Sequence, residues 1–170
     1  MERKVAAQKA RDLLVIGLRN AHAMETQARE LMERQSERTA DFPEVQSKLR
    51  RHLTETNEQL RRLEQCLREC GESESSMKDT ALSAMGNLTA MAHGMAGDEI
   101  LKNTFANNAF ENYEIATYKS LLALCRQAGV DLSQSLEASL REEQEMASWI
   151  DSHVEEVTLQ YLAKEERKAA

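Results

Sequence analysis

Where the helix breakers fall constrains this chain more than any other feature of it. Its 170 residues include one proline and six glycines, and long unbroken runs lie between the break segments. Those segments are Thr39-Ala40-Asp41-Phe42-Pro43, Gly71–Ser76, Gly94–Asp98 and Gly129-Val130-Asp131. Between them the residues are rich in Ala, Leu, Glu, Gln and Arg, aromatics make up only 4%, and β-branched runs are missing. Such stretches favour helix throughout.

Apolar periodicity sets the elements. A first helix is predicted over about Glu2 to Arg38, with Leu14, Leu18, Ala21, Met24, Ala28, Leu31 and Met32 at three- and four-residue steps. Asp41 is expected to cap the second helix, with Pro43 in its first turn. That helix should run to about Cys70, with Val45, Leu49, Leu53, Thr56, Leu60, Leu63 and Leu67 on one face. A shorter Ala- and Met-rich helix is predicted over about Met77 to His93, its methionines serving as adaptable packing. The next helix is expected from about Asp98 to Ala128, closed by Gly129 in the left-handed C′ position. The last covers about Leu132 to Lys164, before a charged and flexible tail over about 163–170.

Four long helices with one short helix between the second and third predict an all-α fold. The expected arrangement is a ferritin-like four-helix bundle, two hairpins joined by a long crossover that carries the short extra helix. Residues 1–170 form one domain, large enough to bury a core. The net charge of −7 makes the chain a poor ligand for nucleic acid, where phosphate neutralisation drives binding. No segment approaches the ~18 apolar residues of a membrane span, and the opening residues lack the pattern of a signal peptide. With Cys66, Cys70 and Cys125 an odd set, reduced thiols and a cytoplasmic location are expected.

Acidic residues on the apolar faces are the candidates for chemistry. Glu25 lies four after Ala21 and three before Ala28, and Glu143 lies three after Leu140 and four before Ala147. Glu55 flanks the second helix's stripe in a polar strip with His52 and Gln59. Glu111 shares a row with Ile115, Tyr118, Leu122 and Cys125, while Phe105, Ala109, Ala116 and Ala123 form a second row and Glu114 falls between the two. One glutamate per long helix, Glu25, Glu55, Glu111 and Glu143, is the pattern by which bundles hold two iron or manganese ions. An ionised carboxylate in such a slot has to be paired, protonated or bound to a cation. The same pattern therefore also describes carboxylates paired within a metal-free bundle. His52 is the one histidine spaced to join a site.

Several segments resemble the YciF-type ferritin-like bacterial stress proteins. Glu111-Asn112-Tyr113-Glu114-Ile115-Ala116-Thr117-Tyr118 is similar to that family's E-H-Y-E-I-A-x-Y segment, and His52-Leu53-Thr54-Glu55-Thr56 to its H-L-E-E-T. Met24-Glu25-Thr26-Gln27 and Leu140-Arg141-Glu142-Glu143-Gln144 match its A-E-x-Q and L-x-E-E-K. Asn112 stands where the family has His, and Thr54 where it has Glu. The resemblance implies a rubrerythrin-like bundle, a homodimer, and a dinuclear iron or manganese site formed by Glu25, Glu55, Glu111 and Glu143, with His52, Glu114 and Glu142 in reserve. The alternative reading is a metal-free bundle with a degenerate site, acting as a structural or protein-interaction module.

Overall fold

The structure, a computed structural model, describes residues 2–72 and 99–169. It contains four long helices and, among the described residues, no strand: α1 (Glu2–Arg38), α2 (Pro43–Glu69), α3 (Glu99–Ala128) and α4 (Ser133–Ala169). α4 continues to Ala169 rather than ending near Lys164. The short helix predicted over 77–93 lies outside the described residues. No helix among the described residues is long and apolar enough to cross a membrane.

The turns between helices follow local backbone chemistry. Gly71 and Gly129 take left-handed conformations, with φ of 91° and 67°. Each sits at C′ of a helix end in which the next N–H reaches back to a carbonyl five residues earlier, Glu72 to Leu67 at 3.0 Å and Val130 to Cys125 at 3.1 Å. The start of α2 differs from expectation. Phe42, not Asp41, occupies the cap position and no side chain caps the helix. Pro43 lacks the N–H that would need a partner there, and the Asp41 carboxylate instead pairs with Lys164 of α4 at 2.6 Å. Phe42 is buried beneath that same lysine, whose ammonium lies 5.5 Å from the ring centre.

Side-chain pairs fix the topology. Gln35 bonds Asn107, and Glu25 bonds Tyr118, so α1 and α3 run antiparallel. Gln59 meets Glu143 and Arg62 meets Ser139, so α2 and α4 do as well. Each helix thus has antiparallel neighbours in a closed ring α1–α2–α4–α3. α2 ends and α3 begins at opposite ends of the bundle, as a ferritin-like fold with one long crossover requires. Near Gly17, α1 and α3 approach so closely that an added Cβ would lie 2.8 Å from Leu121 Cδ2.

The core is layered. One apolar layer gathers Leu14, Leu18, Leu63, Leu67, Leu121 and Leu136, together with Cys66 and Cys125. A second, toward the other end, gathers Ala28, Met32, Leu49, Met146 and Ile150. All three cysteines are free, and burial pushes the Cys66 thiol up to about 12, so it serves as packing. The buried polar residues of the bundle's middle lie between these two layers.

Candidate metal centre

Four carboxylates and one imidazole converge in that middle. Glu25 of α1, His52 of α2, Glu111 and Glu114 of α3, and Glu143 of α4 are all buried, none more than 5% exposed. Nε2 of His52 lies 3.3 Å from Oε2 of Glu111 and 3.3 Å from Oε2 of Glu143. These three residues can bring one ligand atom each within 4.8 Å of one another. Glu25 accepts a hydrogen bond from the Tyr118 hydroxyl at 2.7 Å, with both side chains in the dry interior. Gln59, fully buried, donates from its amide to Glu143 and, at 3.0 Å, to Glu142. Glu142 is half-buried and held by both guanidinium nitrogens of Arg62, at 2.7 and 2.8 Å.

The electrostatics follow from burial. The Glu143 carboxyl is pushed up to about 7, first by its buried setting and then by Glu111, against the opposing pull of His52. Burial also raises Glu25, with Glu143 adding to it and the Tyr118 bond opposing. Glu114 is raised by burial, then by the charges of Glu25, Glu143 and Glu111. Burial by itself would drive His52 down, but Glu111, Glu143 and Glu55 hold it well above the usual imidazole value. A cluster of carboxylates whose mutual repulsion favours the acid form is the setting a multivalent cation relieves.

Two observations show that the residues fit a metal. Among the described residues, five buried oxygens at this centre have no hydrogen-bond partner: Oε2 of Glu25, Glu111 and Glu143, Oε1 of Glu114 and Oε1 of Gln59; those of Glu111 and Glu143 lie 3.3 Å from the His52 ring nitrogen. Buried polar atoms are almost always partnered, so five such oxygens in one place fit the binding of a cation. The spacing agrees. Two ligand atoms each about 2.1 Å from an ion, at angles between a right angle and a tetrahedral one, lie roughly 3.0–3.4 Å apart. The 3.3 Å separations from His52 to Glu111 and Glu143 fall in that interval. An imidazole with hard carboxylate oxygens suits a divalent first-row metal.

The structure distributes the sequence candidates unevenly. Glu25, Glu111 and Glu143 face the centre. Glu114, placed between rows by spacing, is fully buried there, whereas Phe105, Ala109, Ala116 and Ala123 are exposed and pack in no row. Glu55 lies outside the His52–Glu111–Glu143 group, on the opposite ring nitrogen of His52. Glu142 stands at the solvent side with Arg62. Asn112 is exposed and bonds back to Asn108 on its own helix. Spacing places Gln59 on a flank and Tyr118 in a packed row; their positions seven after His52 and four after Glu114 put them on the site's faces.

A family model described as a domain of unknown function (DUF892) matches residues 9–163. The crystal structure of a protein from Xanthomonas campestris pv. campestris is similar, with 31% sequence identity and a TM-score of 0.77. The match covers 93% of this chain and 99% of that one.

Proposed function

The chain belongs to the DUF892 family, the YciF-like ferritin-like family, and we propose that it is a stress-response protein with a dinuclear iron or manganese centre in its bundle. The observation that supports this reading is the set of orphaned buried oxygens on Glu25, Glu111, Glu114, Glu143 and Gln59. Once deprotonated to bind, four carboxylates and a neutral imidazole would carry four negative charges, which two divalent cations would balance in a region where unbalanced charge is costly. Glu111, Glu143 and His52 would hold one ion, and Glu25 and Glu114 would help hold a second. Bound iron or manganese would supply electron-transfer chemistry toward oxygen or peroxide. The chain's own contribution is to exclude water by its two apolar layers, to hold Glu25 through Tyr118 and to hold Glu143 through Gln59. The resemblance further supports a cytoplasmic homodimer.

Elemental analysis of protein purified from cells grown with added iron or manganese tests this. The expected result is one to two equivalents of metal in the wild type and a loss of at least half in Glu143→Ala. Metal-free wild type whose melting temperature does not change on adding Fe2+ or Mn2+ would overturn it. That outcome belongs to the second reading, a metal-free bundle acting through partner contacts. The observation in its favour is that Gln59 and Tyr118 already satisfy one oxygen each of Glu143 and Glu25 from within.

A further inference from the structure

Glu55 stands one step back from the centre. Its Oε2 lies 2.8 Å from Nδ1 of His52, three residues earlier on α2. The Glu55 side chain is 26% exposed, and that of His52 is 1% exposed. The other ring nitrogen, Nε2, faces the two orphan oxygens of Glu111 and Glu143, 3.3 Å from each. The two nitrogens of one ring therefore have opposite settings. One meets a half-buried carboxylate, and the other meets the two buried carboxylates of Glu111 and Glu143.

A neutral imidazole has one N–H and one lone pair, and the hydrogen bond made by one nitrogen decides the state of the other. An ionised carboxylate only accepts. Oε2 of Glu55 lies 2.8 Å from Nδ1, so an ionised Glu55 accepts from an N–H at that nitrogen. A proton on Nδ1 then leaves the lone pair on Nε2. Service as a direct ligand would require a Glu55 oxygen beside Glu111 and Glu143, but Oε2 sits on the far side of the ring.

We infer that Glu55 is a positioning residue: its bond to Nδ1 fixes His52 in the tautomer and rotamer that present Nε2 to an ion between Glu111 and Glu143. This rests on the metal reading above. It assigns Glu55 to the hold on a ligand and takes it out of the ligand set. Carboxylates placed behind metal-bound histidines typically account for 10- to 100-fold in affinity.

The test uses full-length protein stripped of ions and titrated with Zn2+, a diamagnetic ion that binds such sites at least as tightly as iron or manganese. Nitrogen-15 NMR of the histidine-labelled wild type is expected to show metal at Nε2 and a retained proton at Nδ1, a result that needs no variant. Glu55→Ala should keep the wild-type stoichiometry with affinity weakened about 10- to 100-fold. Glu58→Ala, one turn on and paired with Arg61, should bind as the wild type does. Metal at Nδ1, or unchanged affinity in Glu55→Ala, overturns the assignment of Glu55 alone. No Zn2+ uptake by the wild type overturns it together with the metal reading.

Discussion

Glu114 concentrates the cost of the centre in one side chain. It is 1% exposed, has an oxygen with no donor, and is surrounded by Glu25, Glu143 and Glu111. Replacing its carboxyl with the neutral amide of the same shape removes the cost of either burying the charge or holding a proton there above the usual carboxyl range. Ion-free Glu114→Gln at pH 8 is therefore expected to be more stable than the wild type by about 1–2 kcal/mol in urea denaturation. The same substitution should lower the metal content. Residue spacing made Glu25, Glu111 and Glu143 legible, because each falls on a stripe with clear apolar neighbours. It did not separate Glu55 from His52, which share a flank of α2. Rotamers and the carboxylates arriving from α3 and α4 decide which of the two faces the centre, and those come from other parts of the chain.

The helices were legible to within a few residues at each end, since breakers and capping glycines act locally. Their facing was less so. On α2 the middle of the buried stripe is His52, Thr56 and Gln59 rather than Leu53, which is only half-buried. A rule that places apolar residues inside misplaces a polar centre by about one residue. On α3, apolar and polar residues fall on both the inner and the outer face, so its periodicity offers little contrast between a buried row and an exposed one. Phe105 and Tyr113 are accordingly 53% and 50% exposed, while Glu114 is buried. Gly129 gives an element-scale test. A Cβ added there meets nothing within 4 Å, so Gly129→Ala isolates the conformational cost at φ 67°. That change should cost about 1–2 kcal/mol, seen as a lower urea midpoint with an unchanged denaturant slope.

For the molecule as a whole, the centre sets the dependence of stability on pH. Glu25, Glu114, Glu143 and His52 all bind protons more tightly in the folded chain than in the unfolded one. A group raised in this way stabilises the fold below its unfolded value, and that contribution is lost as pH rises through the folded value. For Glu143 the window runs from the usual 4.5 to about 7, and His52 extends it above 6.5. Asp41 and Glu55, both lowered, act with the opposite sign but below that window. The melting temperature of chelator-treated protein should fall between pH 5 and 8. Added Mn2+ should raise it, by more at pH 8 than at pH 6, because ligands must give up protons to bind.

The centre takes at least one side chain from every helix of the ring: Glu25 from α1, His52 from α2, Glu111 and Glu114 from α3, Glu143 from α4. Without ions, repulsion among them gives each helix a reason to loosen on its own. With ions in place, no helix can lift away without stripping a ligand. An ion bound as proposed would act as a rivet through the waist of the bundle, tying the opening of its four helices to the escape of the ion.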